Sequence, residues 1–162
     1  MSKYCLDSNV FIEAKSGPYS FDIVPAFWDW IDVQVEKENI ITSSEVYNEI
    51  LDGEDKLSEW FKARKDSQLF ITPAIEVQHI YQTVADHVRK NYEIAYYQTF
   101  LEKADPWVIA LAKHLDAIVV TMEVLVPSIS KKVKIPNICL QFGLKYINTY
   151  QMLRDLHARF IL

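Results

Sequence analysis

Four acids stand where apolar runs give way to turns, and they are the side chains in this chain best placed to do chemistry. Asp7 follows Tyr4-Cys5-Leu6 and precedes Val10-Phe11-Ile12, a poor position for an acid that needs only solvent. Glu123 comes just past the run AIVVT at 117–121, and Asp105 opens the segment DPWVIALAKHL. Glu49 lies one helical turn after Glu45. Glu45 itself is accounted for by a capping box from Thr42 and is left out of the site. Carboxylates gathered at one rim raise one another's pKa and call for a cation. Oxygen-only donors suit Mg²⁺ or Mn²⁺. The histidines, at 79, 87, 114 and 157, are too scattered to make a zinc site. Each acid taken alone has a plainer reading: a helix cap for Asp105, a solvated helix residue for Glu49, a loop acid for Glu123.

The surrounding elements must bring these residues together. Short apolar runs at 3–7, 40–42, 68–72 and 117–121 read as strands, with a weaker one at 145–148. Between them the apolar spacing is helical. Val24, Phe27, Trp28, Ile31 and Val35 share a face within 21–37, and Val77, Ile80, Tyr81, Val84 and Val88 share another. Segments 54–66 and 93–104 also read as helices. Thr42 with Glu45 starts a helix running to about Leu51, Asp105-Pro106 caps and starts another, and Thr149 caps the last one. Strands alternating with helices predict an α/β fold, a mostly parallel five-stranded sheet flanked by helices on both faces. In such sheets ligands bind beyond the carboxyl ends of the strands, where the acids stand.

The 162 residues suit one domain spanning 1–162, and half of them are hydrophobic, enough for a filled core. No Pro-, Gly- or Ser-rich linker, repeat or low-complexity stretch interrupts it. Asp7 interrupts the opening where a signal peptide needs an apolar stretch, and no uncharged run approaches the roughly 18 residues of a membrane helix. A cytoplasmic protein is expected, and two cysteines, Cys5 and Cys139, fit a reducing compartment. The net charge of −5 weighs against tight non-specific binding of nucleic acid.

With these motifs in place, the chain resembles a PIN domain. YCLDSNVFIEA is similar to the family's first strand ending in Asp, and ITSSEVYNEI to its second motif, with Glu49 at the acidic position. KADPWVIALAKHLDAIVVTMEV resembles the third and fourth motifs together, with Asp105 opening a helix and a strand ending in Thr-x-acid. Two positions depart from the pattern. The fourth acid is Glu123 where Asp is commoner, and Val124, Leu125 and Val126 stand where a further acid is usual.

The resemblance implies an α/β/α fold, an acidic Mg²⁺ or Mn²⁺ pocket and cleavage of single-stranded RNA. It implies catalytic roles for Asp7, Glu49, Asp105 and Glu123, with Asp7, Asp105 and Glu123 holding the metal. Ser8, Asn9 and Thr121 would hydrogen-bond to those acids. Many bacterial members are toxins held by an antitoxin. The alternative is a non-catalytic PIN-like module that binds RNA or a protein. An aspartate-nucleophile phosphatase is disfavoured, since it wants a second Asp where Asn9 stands. Lys131, Lys132 and Lys134, a few residues beyond Glu123, would guide an RNA backbone. The wide apolar arc of 21–37, with Trp28 and Trp30, is a candidate surface for a second copy or an antitoxin-like inhibitor; burial under the terminal helix is the competing reading.

Overall fold

A computed structural model describes residues 2–162. The order of elements is β1 (Tyr4–Leu6), α1 (Ser8–Ser16), α2 (Pro25–Glu36), β2 (Ile40–Ser43), α3 (Ser44–Leu51), α4 (Lys56–Lys62), β3 (Phe70–Ile71), α5 (Ile75–Asn91), α6 (Ile94–Leu101), α7 (Asp105–Leu115), β4 (Ile118–Val120), α8 (Ile135–Gln141), β5 (Tyr146–Ile147) and α9 (Thr149–Asp155). The strands form one sheet in the order β3-β2-β1-β4-β5, and every pairing is parallel. Cys5, Leu6, Ile40, Ile41, Val119 and Val120 are all buried, as strands covered on both faces require.

This order fixes where a ligand can sit. The chain grows outward from β1 to β2 and β3, then returns to place β4 on the other side of β1. The carboxyl ends of β1 and β4 therefore flank the point where the winding reverses, the usual crevice of such sheets. Leu6 pairs with Val120, so the next residues, Asp7 and Thr121, emerge side by side.

Helix α7 carries a second acid to the same place. Its small and branched residues Val108, Ile109, Ala110, Leu111 and Ala112 are buried against α5, β1, β2, β4 and α8. Such a helix can only lie flat on the sheet, and its first residue is Asp105.

Several local readings change. The first helix after β1, Ser8–Ser16, went unread because Asp7-Ser8-Asn9 resembles a turn. The segment 130–137, SKKVKIPN, reads as a loop in the sequence but contains the start of α8 at Ile135. The α3 cap is Ser43, whose side chain accepts from the Glu45 N–H, so the Thr42–Glu45 capping box does not form. Thr42 extends β2 instead, and its hydroxyl donates to the Leu6 carbonyl at 2.6 Å. Asp105 lies inside α7, after Ala104 at the cap position, and makes no capping bond. Asn148, whose side chain accepts from the Gln151 N–H, caps α9 in place of Thr149.

The apolar arc around α2 is largely covered by the chain itself. Trp28 is 2% exposed, stacks on Phe21 at 4.0 Å and donates its indole N–H to the Tyr19 carbonyl at 2.8 Å. Trp30 is half-buried, with its ring edge-on to Phe160 of the C-terminal segment at 6.3 Å. Covering thus comes from the residues after α9 rather than from α9. Among the described residues no helix is long and apolar enough to cross a membrane.

Candidate active site

Asp7 is fully buried, and its carboxylate is held from two sides. The Thr121 hydroxyl donates to Oδ2 at 3.1 Å, and the Ser8 hydroxyl lies 3.4 Å from Oδ1. Ser8 also donates to Glu49 Oε1 at 3.0 Å, linking the acid after β1 to the acid on α3. The other Glu49 oxygen accepts the Ala104 N–H at 2.8 Å, which ties α3 to the residue just before Asp105. Glu123 accepts the Ile135 N–H at 2.8 Å, while its own N–H donates to Thr121 Oγ1 at 3.1 Å. A hydrogen-bonded path therefore runs from Ala104 through Glu49, Ser8, Asp7 and Thr121 to Glu123 and the start of α8.

Burial and mutual repulsion act strongly on this group. Burial first, then the charge of Glu123, pushes the Asp7 carboxyl up to about 7, against the opposing hydrogen bond from Thr121. Asp105, 5% exposed, is pushed up to about 8 by burial, then by Asp7 and Glu123, with Lys103 pulling the other way. Among the described residues none of the four acids takes part in an ion pair. Two buried and two half-buried carboxyls that disfavour one another's ionisation, with no ion-pair partner among the described residues, are an environment a divalent ion relieves.

The donors are all carboxylate oxygens, so the set fits Mg²⁺ or Mn²⁺. Among the described residues no three His, Cys, Asp or Glu side chains already converge as a metal-holding group. Both Glu49 oxygens are engaged by donors of the protein, the Ser8 hydroxyl and the Ala104 N–H.

Asp105 and Glu123 open onto a cleft of about 290 Å³, whose wall also includes Lys132 and Lys134. Lys131 does not line it and pairs with Glu93 at 3.6 Å instead. Asn9 stands in the first turn of α1 but, among the described residues, forms no hydrogen bond with any of the acids, unlike Ser8 and Thr121. Lys103, Tyr96 and Thr99 also line the cleft and went unnoticed in the sequence. Lys103 stands two residues before Asp105, and that spacing was the available signal.

A family model described as a domain of unknown function (DUF4411) matches residues 4–160. The chain belongs to this DUF4411 family. No curated protein matches it in sequence. Two solved structures share the fold of this DUF4411 chain. One is FitAcB from Neisseria gonorrhoeae, with a TM-score of 0.53 and 17% identity over 91% of this chain and 98% of that one. The other is VapBC2 from Rickettsia felis, bound to a DNA fragment from their promoter, with a TM-score of 0.52 and 14% identity over 90% and 97% of the two chains. At these identities the likeness is one of fold, and the fold is PIN-like.

The hydrogen bonds separate the two glutamates of α3. Glu49→Gln is expected to lower any metal-dependent activity of this site at least about tenfold, the scale of losing a group that orients metal ligands. Glu45→Gln should change it less than twofold, because the Glu45 side chain bonds to none of the acids. The reverse ranking in a cleavage assay would show that the wrong carboxylate is assigned.

Proposed function

We propose that this protein is a Mg²⁺- or Mn²⁺-dependent endoribonuclease that hydrolyses phosphodiester bonds of single-stranded RNA, and that it is the toxin of a toxin–antitoxin pair. The observation that carries the reading is the gathering of Asp7, Glu49, Asp105 and Glu123 at the point where the sheet reverses, with no cationic side chain among the described residues paired to them. The pairing with an inhibitor is supported by fold likeness to structures named for FitAcB and VapBC2. Its partners in this reading are RNA, an antitoxin protein and a second copy of the chain, in the cytoplasm, with residues 1–162 acting as one domain.

Asp7, Asp105 and Glu123 would hold the metal. A divalent cation there supplies Lewis acidity and lowers the pKa of water, which is the chemistry phosphodiester hydrolysis needs. Glu49, fixed by Ser8 and the Ala104 N–H, sets the spacing between α3 and the start of α7. Thr121 orients Asp7 and the backbone of Glu123 together. Lys132 and Lys134 face the cleft and would grip the RNA backbone, so that local positive charge offsets the net −5 of the chain. Incubating the purified protein with mixed RNAs, with Mn²⁺ and then with chelator, tests this directly. Cleavage that requires Mn²⁺ supports the enzyme, and intact RNA under both conditions removes it.

The lysines give a second, independent readout. Each phosphate neutralised on a single strand contributes roughly 0.7 to the slope of log affinity against log salt. Replacing Lys132 and Lys134 together with alanine should flatten the slope by about 1.4, with metal binding unchanged. Lys131→Ala should leave the slope alone, because Lys131 is turned to Glu93. An unchanged slope in the double variant would put the substrate path elsewhere.

The competing reading is a non-catalytic module binding RNA or protein. Two observations favour it: both Glu49 oxygens are occupied, and Val124–Val126 stand in place of a further acid. Binding of RNA or of a protein partner without Mn²⁺-dependent cleavage is the result it requires.

A further inference from the structure

The cleft beside the acids has a second wall that the metal chemistry leaves unused. It is built by α6 and the residues after it: Tyr96, Thr99, Phe100 and Lys103. The same cleft is lined by Lys132, Val133 and Lys134 from the segment before α8, and by Asp105 and Glu123. Phe100 is buried and anchors α6 to the core. Tyr96 is 36% exposed, on the same side of the helix one turn earlier. Among the described residues its ring pairs with no other aromatic ring and its hydroxyl with no partner, whereas Tyr81 stacks on Trp107 and bonds to Leu101. Lys103, Lys132 and Lys134 form no ion pair among the described residues.

An unpaired aromatic face between unpaired lysines has a specific complement. A nucleotide of a single strand offers a flat base to stack and a phosphate for the cations, and base stacking on aromatic side chains is the common mode of single-strand recognition. A duplex hides its base faces and cannot use such a wall. We propose that Tyr96 is a base-stacking residue, holding one unpaired base of the RNA on the α6 wall while Lys103, Lys132 and Lys134 hold the adjoining phosphates, so that the neighbouring linkage is positioned over Asp105 and Glu123. This rests on the ribonuclease reading above and adds to it a residue that orients substrate without touching the metal.

The test uses the full chain in an Asp7→Asn background with Mn²⁺, so that bound RNA stays intact. Two probes of equal length are compared: a single-stranded oligoribonucleotide, and a sugar-phosphate chain lacking its bases. Tyr96→Ala should weaken binding of the first roughly tenfold, the scale of one stacked base, and leave the second unchanged. Tyr96→Phe should bind both as the parent does, since the ring face is kept. A 2-aminopurine label in the oligonucleotide should be quenched by the parent and by Tyr96→Phe, and not by Tyr96→Ala. Equal weakening of both probes makes Tyr96 structural and overturns the proposal, as does an unchanged affinity for both. If the parent binds neither probe, the ribonuclease reading fails with it. If it binds RNA and Tyr96→Ala binds equally well, only the stacking role fails.

Discussion

Asp7→Asn is expected to lower Mn²⁺-dependent RNA cleavage roughly a thousandfold or more while leaving the fold intact. The size follows from losing several kcal/mol of charge stabilisation at the metal, at about 1.4 kcal/mol per factor of ten. Preservation of the fold follows from the local hydrogen bonds. Thr121 Oγ1 now donates to Asp7 and accepts from the Glu123 N–H. A hydroxyl oxygen has two lone pairs, so it can accept from an asparagine amide as well as from Glu123. Asparagine also removes a charge that burial and Glu123 already disfavour. The metal-free variant should therefore melt no lower than the parent at pH 8. Equal cleavage by preparations of parent and variant, both free of contaminating nuclease, would falsify the assignment. A variant that melts far below the parent would instead place Asp7 in the framework of the fold.

The second large effect concerns stability without metal. Asp7 and Asp105 have folded-state values raised well above the ordinary carboxylate range, to about 7 and about 8. The folded state therefore holds protons that the unfolded chain has released. The stabilisation is fully present below the unfolded value near 4 and is lost as pH rises through the folded values. Between those limits each such group can contribute a loss of at most about 1.4 kcal/mol per pH unit. His87 is shifted the other way by burial, so its effect is confined to pH below its ordinary value of about 6.5. Between pH 6.5 and 8.5 the acids dominate, and the melting temperature of the chelated protein should fall. Millimolar Mn²⁺ should restore it, because a ligand bound only by the folded state stabilises by about 2.7 kcal/mol at a hundred times its Kd. Asp7→Asn should flatten the pH dependence. A melting temperature that rises over this range in chelator, or that ignores Mn²⁺ at pH 8, would argue that the acids neither repel one another nor gather a cation.

The two tests also divide the rival readings. A non-catalytic module that still carries the acidic cluster keeps the fall in stability with pH and loses the cleavage. The ribonuclease shows both. The Tyr96 comparison is informative under either, since it measures RNA binding rather than turnover.

By itself the sequence determined the alternation of strands and helices, except for α1 and α8, and the places where acids meet strand ends. Asp7 after Tyr4-Cys5-Leu6 was legible because a buried apolar run ending in an acid is a local pattern, carried by adjacent residues. The helical faces through Val77–Val88 and the start of the helix at Asp105-Pro106 were legible for the same reason. Several details were decided only in three dimensions. Thr42 and Ser43 can both cap a helix. Thr42 is drawn to the Leu6 carbonyl of the neighbouring strand, so the cap falls to Ser43 and the capping box of Glu45 is lost. Lys131 and Lys132 are adjacent, but one turns to Glu93 and the other to the cleft. No pattern along the chain separates them, because the difference is made by Glu93, distant in sequence and on the other side of α6 and α7 in chain order. Tyr96 shares a cleft with Asp105 and Glu123 only because α6 folds back beside α7, whose first residue is Asp105. Charge spacing and apolar period are local and survive in a string of letters. Which polar groups share one buried volume depends on strand order, and only the packed sheet sets that.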